Sequence, residues 1–419
     1  MSTVQSRKAI AVGAIGNILE WYDFAIFGYF ATSIGRIFFP KADPVAQVLM
    51  AFGIFAIGFL MRPLGGVAIG YIGDRVSRQT ALTVSIVSMA IPTFLVGIMP
   101  GYDTIGLAAP ILLTLCRIIQ GLSVGGEYTT SLIYMIEQSP KNQRGFVGAM
   151  GFSSAVTGML LGSGVGAALG AVLSPEQLDA WGWRIPFLFG LVIGLAGYLL
   201  RRESAEHSHH APVATINPVV ETFKNHRMVV AKIAGLSAFL TVSFNLMFVY
   251  VVSWLELVDN IPPSKSLKIN TVSMIVLVPA TLAAGAISDR VGHKPVLTTA
   301  LIMAIIFSIP LLYGMYHQSD PVIQLSQIGF ALVIGLFSGA LPTLMVETAP
   351  ANVRTTAVAL GYNLTTGIIG GTTPLVASWL ITRTENEILP AYLIVAVAAV
   401  SLMTALFVPE THKKDVRVV

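Results

Sequence analysis

Five charged residues lie inside long apolar stretches of this sequence: Glu20, Asp23, Arg62, Arg117 and Glu127. A charge within a bilayer is costly, so it faces a cavity, a partner or a pathway. A carboxyl beside an apolar wall favours its neutral form, and an adjacent arginine favours the charged form. A carboxyl that alternates between those surroundings loads and releases a proton, which makes Glu20, Asp23 and Glu127 candidate carriers. Guanidinium binds carboxylate through two parallel N–H bonds. Arg62 and Arg117 are therefore candidates for gripping an anionic group of a solute. The competing reading of all five is a permanent structural ion-pair network.

Spacing refines the set. Asn17, Glu20 and Asp23 are three residues apart and span about 120° of one helix face. Arg117, Gln120, Val124, Glu127 and Ser131 fall within an ~80° stripe of another helix. Arg117 and Glu127 are roughly 15 Å apart along it, too far to pair directly. Counted along the helices from one membrane face, Glu20, Arg62 and Glu127 are roughly 12–17 Å deep and Asp23 and Arg117 roughly 20–27 Å deep. The expected pairs are Arg62 with Glu20 or Glu127, and Arg117 with Asp23. The second half has no comparable mid-helix charge, because Glu256 and Glu347 stand near helix ends. Proton coupling is therefore expected mainly in the first half.

The elements that carry these residues are membrane helices. Of 419 residues 54% are hydrophobic and 11% charged, with a mean hydropathy of +0.76. A soluble domain carries about 25% charged residues, so lipid must receive most of the apolar side chains. Stretches of about 20 apolar residues number twelve. Six lie at 9–34, 45–71, 80–100, 107–136, 145–173 and 181–201, and six at 229–257, 267–288, 296–316, 321–347, 355–382 and 388–408. The fold expected is an all-α polytopic membrane protein with twelve transmembrane helices in two six-helix bundles around a central cavity. The division is 1–202 for the first bundle, 203–228 for a cytoplasmic linker and 229–419 for the second bundle. The linker holds His207, His209 and His210, and it reads as a solvated connection rather than a metal site.

Lys and Arg fall about three to one on the side that holds both termini, which places the termini in the cytoplasm. Arg7 and Lys8 precede a run too long and too acid-bearing for a cleavable signal, so it reads as a retained first helix. The lone Cys116 permits no intrachain disulfide and reads as a buried filler. The net charge of +4 is dispersed, so no nucleic-acid face is implied.

The two halves echo each other. Gly70-x-x-x-Asp74-Arg75-Val76-Ser77-Arg78 follows the second span, and Gly285-x-x-x-Asp289-Arg290-Val291-Gly292-His293-Lys294 follows the eighth. Glu137, Pro140 and Arg144 join spans four and five, and Glu347, Pro350 and Arg354 join spans ten and eleven. Matched signals about 210–215 residues apart indicate an internal duplication. Asp74 and Asp289 are expected to meet an arginine or a helix N-terminus across the half interface. Together Asp74, Arg75, Arg78, Glu137, Arg144, Asp289, Arg290, Lys294, Glu347 and Arg354 form a candidate inner gate. The bland alternative is that these charges only set topology.

Candidates for the cavity wall are Asn17, Tyr22, Gln120, Tyr128, Asn245, Tyr250, Tyr362 and Asn363, beside Arg62 and Arg117, with Phe244 as a weaker one. Aromatic faces among them suit a quaternary ammonium. Trp254 and Trp379, near helix ends, read as interfacial anchors. The glycines of the fifth span, from Gly145 to Gly170, allow close helix packing and rocking.

These motifs resemble a known family. The Gly-x-x-x-Asp-Arg-x-x-Arg loop and its echo resemble the major facilitator superfamily. Asn17-x-x-Glu20-Trp21-Tyr22-Asp23-Phe24, Arg62-Pro63-Leu64-Gly65-Gly66, Arg117-x-x-Gln120-Gly121-Leu122-Ser123-Val124-Gly125-Gly126-Glu127-Tyr128 and Trp181-Gly182-Trp183-Arg184-Ile185-Pro186-Phe187 narrow the likeness. Together they are similar to the metabolite:proton symporter family, which includes proline/betaine, α-ketoglutarate, citrate and shikimate permeases. The resemblance implies a transporter of the bacterial inner membrane with a central cavity and alternating access. Osmosensing members carry a long C-terminal coiled coil. Here Pro409–Val419 contains no heptads, so osmotic gating of that type is not expected.

The function expected is proton-coupled uptake of a small carboxylate-bearing solute, either an organic acid or a zwitterion such as proline or betaine. Its partners are that solute and the lipid bilayer, a monomer suffices, and the proton is the coupling ion with no other cofactor or metal. One alternative is a proton-driven exporter of the same fold. Such exporters carry a proline within a glycine motif in the fifth span, and 145–173 has none. Another is a receptor that binds without moving its ligand. An enzyme is not expected, since paired metal-ligand spacing, a nucleophile elbow and a phosphate loop are all missing.

Overall fold

The structure, a computed structural model, describes residues 17–412 apart from 19, 42, 66, 67, 69–77, 126, 193, 194, 196–217 and 352. Twelve helical stretches correspond in order to the twelve apolar spans. They are α1 (residues 20–29, continuing past a turn at Phe30 as Ala31–Phe38), α2 (Pro44–Leu60), α3 (Arg78–Ile98), α4 (Ala108–Val124 and Glu127–Gln138), α5 (Arg144–Val172) and α6 (residues 184–192). The second half supplies α7 (Arg227–Val258), α8 (Pro263–Val291), α9 (His293–Tyr313), α10 (Asp320–Thr348), α11 (Arg354–Thr384) and α12 (Leu389–Leu406). Among the described residues there is no strand, and eight helices are long and apolar enough to cross a membrane. The linker expected at 203–228 lies mostly outside the described residues. Its described part includes the short helix Pro218–Asn225.

Local chemistry sets the helix ends. Asp43 accepts a hydrogen bond from the Ala46 N–H and Pro44 opens α2 with its fixed φ. Gly292 alone separates α8 from α9, at φ 107°, a conformation that suits glycine. Glu385 ends α11 in the left-handed region.

Two helices depart from simple α geometry. Asn245–Tyr250 within α7 and Thr365–Gly370 within α11 are π-helical. Such bulges widen one turn and recur at functional sites. Both face the centre of the molecule, where Thr241 and Thr366 hydroxyls lie 3.4 Å apart.

The halves meet chiefly along α5 and α8. Backbone touches backbone where Gly145 and Gly285 face each other, and a Cβ on either would collide with the other helix. At the opposite end a Cβ on Gly170 would collide with Ser264, and one on Gly166 would sit 2.8 Å from Leu267. Small residues let membrane helices approach this closely.

Candidate functional site

One stripe of α1 carries the buried chemistry. Glu20, Asp23, Phe24 and Phe27 fall at i, i+3, i+4 and i+7, which share a helix face. Arg62, in the helical turn that follows α2 past Met61, donates to Glu20 at 2.8 Å, and its guanidinium carbon stands 5.0 Å from the Trp21 and Phe24 ring centres and 4.8 Å from that of Phe59. Arg117 of α4 is 3.6 Å from the Asp23 carboxylate and 3.8 Å from the Phe27 ring centre. Gln120 accepts from Arg117 at 3.0 Å and donates to Asp23 at 3.0 Å, and the Thr93 hydroxyl also donates to Asp23. All four charged side chains are buried. Of the two partners expected for Arg62, Glu20 is the one it holds. Glu127 lies in α4, but its side chain is outside the described residues.

Beside Glu20–Arg62 lies a central cavity with about 380 Å³ of space between atoms, spread through narrow clefts. Trp21, Tyr128, Phe152, Phe244 and Tyr362 supply its aromatic lining, and Thr241, Asn245 and Thr366 its polar spots. Trp21 meets Tyr128 edge-on at 6.1 Å, Tyr128 lies 5.4 Å from Tyr362, and Phe152 meets Phe244 at 5.9 Å. Among the described residues, none of the lining carries a formal charge. A lining that is apolar with a few polar groups has the chemistry of a small-ligand site. Aromatic faces turned on one space attract a cation there.

Not every sequence candidate reaches this cavity. Tyr128, Asn245 and Tyr362 do, with Phe244. Tyr22 turns away and donates to the Pro186 carbonyl at 2.9 Å. Tyr250 packs on Phe52 with ring centres 5.7 Å apart. Asn363 donates to the Gly125 carbonyl at 2.9 Å, tying α11 to α4. Asn17 donates to Ser154 at 3.2 Å, tying α1 to α5. Gln120 serves Asp23 and Arg117 instead. Trp254, expected as an interfacial anchor, is buried, because its indole N–H reaches the Glu387 carbonyl before α12 at 3.0 Å. Trp379 is half exposed. Sequence reading missed Phe152, Thr241 and Thr366 on the wall, and Thr93 at Asp23.

The halves are closed on each other at both ends. At the end bearing the α8–α9 loop, Asp289 accepts from the Gly145 and Phe146 N–H groups at 2.7 and 2.9 Å. A carboxylate there satisfies orphan donors and meets the positive end of the α5 dipole. Arg144 pairs with Glu347 at 3.2 Å, and Glu137 pairs with Arg354. Arg290 is exposed, and Lys294 donates to the Val408 carbonyl at 2.8 Å within its own half. Asp74 and Arg75 lie outside the described residues, as does the Arg78 side chain.

Glu410 is a further member that sequence reading missed. It accepts from the His293, Lys294, Thr411 and His412 N–H groups at 2.8–3.2 Å, capping α9. Burial acts to raise its pKa, but these backbone donors outweigh it and hold the carboxyl below its ordinary value. At the opposite end Arg36 joins Asp179 at 3.0 Å and Glu256 at 3.1 Å, linking α1 to α7.

A helical membrane protein built from two halves, with a central cavity and buried ion pairs beside it, has the architecture of a membrane transporter, not an enzyme. The comparisons with known proteins agree. Residues 9–206 match the family described as "Sugar (and other) transporter", and residues 262–418 match "Major Facilitator Superfamily". The chain is 33% identical over 425 residues to the glycine betaine/proline/ectoine/pipecolic acid transporter OusA of Dickeya dadantii, covering 98% of this chain and 85% of that one. It is 32% identical over 428 residues to the proline/betaine transporter of Escherichia coli, with the same coverage. Among solved structures, a D-xylose–proton symporter superposes with a TM-score of 0.75 at 20% identity, covering 98% of this chain and 99% of that one. At that identity the likeness shows the fold alone. The chain belongs to the major facilitator superfamily, in its metabolite:proton symporter family.

Proposed function

We propose that this protein takes up a small zwitterion together with a proton, by alternating access across the bacterial inner membrane with both termini in the cytoplasm. The observation that carries the reading is the Glu20–Arg62 pair standing beside a cavity whose described lining is aromatic with a few neutral polar groups. A cationic nitrogen fits the aromatic faces, and a carboxylate fits Arg62. The relatives' names fit this chemistry, since betaine, proline, ectoine and pipecolic acid each join a carboxylate to a basic or quaternary nitrogen.

Coupling follows from the cost of an unpaired buried charge. Breaking a buried pair by removing one partner costs about 3–5 kcal/mol. Arg62 therefore keeps an anion beside it through the cycle. A proton on Glu20 releases Arg62, and the solute carboxylate replaces Glu20 beside it. Proton and zwitterion then move together and carry one net positive charge, while Arg62 keeps a carboxylate beside it. Asp23 and Glu127 remain candidate carriers, and Asp23, bound by Arg117, Gln120 and Thr93, sits away from the cavity wall. The bundles 1–202 and 229–419 rock about the site. The ties of Asp289, Arg144, Glu347, Glu137 and Arg354 form the inner gate that parts when solute leaves.

The test is uptake by purified protein in liposomes under an imposed inward proton gradient, with proline, betaine, α-ketoglutarate, citrate and shikimate. Accumulation of proline or betaine that an uncoupler abolishes supports the reading. Accumulation of the organic acids alone overturns the zwitterion. Solute movement against an opposite gradient favours the exporter, and binding without transport favours the receptor.

A further inference from the structure

Both buried arginines rest on one ring. The Arg62 guanidinium carbon is 5.0 Å from the Phe24 ring centre, and that of Arg117 is 5.4 Å from the same centre. Phe24 is buried, packs edge-on against Phe59 at 4.9 Å, and does not line the cavity. Neither guanidinium is saturated. Arg62 Nε and Arg117 Nε and Nη2 are buried without a hydrogen-bond partner. Each arginine therefore has donors left for a second carboxylate. Two such carboxylates are close, since Glu20 and Asp23 share the stripe of α1 that holds Phe24.

We propose that Phe24 is a positioning residue that confines each arginine to its own carboxylate and so ties proton movement to solute movement. The inference rests on the proton-coupled reading above. A proton on one carboxylate leaves its arginine unpaired. If that arginine swung to the other carboxylate, it would recover a partner without any solute. The protonated carrier could then cross empty, and the gradient would leak. The ring stands within 5.4 Å of both guanidinium carbons and holds both cations by its quadrupole. An arginine released by a proton then finds its next anion in the solute, on the cavity side.

The test uses the full-length protein in liposomes with radiolabelled glycine betaine. Two quantities are measured: exchange of labelled for unlabelled solute without a gradient, and accumulation under an inward proton gradient. Their ratio is the readout, because loss of folded protein lowers both together. Phe24→Leu removes the quadrupole and should lower the ratio about tenfold. It should also flatten the dependence of accumulation on external pH and raise proton leak without solute. Phe24→Tyr, which keeps the ring, should restore the native ratio. If Phe24→Leu does not fold, Phe24→Met carries the same test. A leucine or methionine variant with the native ratio overturns the inference alone, as does a tyrosine variant that stays uncoupled. Native protein that fails to accumulate glycine betaine overturns the coupled reading and this inference with it.

Discussion

Glu20 and Arg62 form a 2.8 Å ion pair one ring away from a cavity whose described lining carries no formal charge. That places the strongest electrostatic feature of the site behind Trp21. A solute carboxylate reaches Arg62 only by replacing Glu20 or sharing the guanidinium with it.

Glu20→Gln leaves Arg62 without its carboxylate. A buried cation stripped of its partner costs about 3–5 kcal/mol, so the variant should melt well below the native protein. A zwitterion then supplies the missing anion. Glycine betaine should raise the melting temperature of Glu20→Gln more than that of the native protein, while accumulation under a proton gradient is lost. Thermal unfolding in detergent with and without glycine betaine checks the first outcome, and liposome uptake the second. An unshifted melting temperature in Glu20→Gln would remove Arg62 from solute binding.

The aromatic lining should discriminate by charge on nitrogen. A cation over a ring is worth about 0.5–2 kcal/mol, or roughly 2- to 30-fold in affinity. Phe152→Leu and Tyr362→Leu should each weaken glycine betaine by a factor in that range. An organic dianion such as α-ketoglutarate has no cation to lose, so its binding should change less. Titration calorimetry with both ligands checks this.

Much of this architecture is legible in the sequence, because lipid imposes long apolar runs and a charge within such a run stands out. The twelve spans, the echoing loops and the deep charges of the first half all follow from that contrast. The wall of the cavity is not legible in the same way. Membrane helices are apolar all round, so periodicity cannot separate a residue facing the cavity from one facing lipid. Phe152 on α5 and Leu161, exposed on the same helix, look alike in sequence. The π-helical turns at Asn245–Tyr250 and Thr365–Gly370 shift the helix face by one residue without any compositional mark. Asn245, one turn after Thr241, and Thr366 both meet the cavity beside these turns. Glu410 had a faint signal, since Glu203-Ser204 ends the first half much as Glu410-Thr411 ends the second.

Glu410 predicts a pH dependence at one end of the molecule. Its carboxyl is held below its ordinary value by four backbone donors. A depressed carboxylate adds stability that is present above the unfolded pKa of about 4.3 and lost as pH falls through the lower folded value. Glu410→Gln should therefore melt below the native protein at pH 7, and the two melting curves should converge below about pH 4. A difference that persists unchanged into acid would assign the effect to packing against Gly292 instead.

The glycines of α5 should control the two ends separately. Gly145 lies against the Gly285 backbone at the end held by Asp289, and Gly170 lies against Ser264 at the end held by Arg36. A leucine at either place cannot fit while the halves touch there, because its Cβ would collide with the Gly285 carbonyl and the Ser288 hydroxyl at residue 145, and with Ser264 Cβ and Cα at residue 170. Gly145→Leu should hold the Asp289 end apart, and Gly170→Leu the Arg36 end. Both should abolish accumulation, since alternating access needs each end to close in turn. Their conformations should differ in opposite directions. Spin labels at residues 141 and 351 should separate in Gly145→Leu, and labels at 176 and 264 should separate in Gly170→Leu, each relative to the native protein. The reverse pattern, or equal distances in both variants, would show that α5 and α8 do not act as the hinge between the halves.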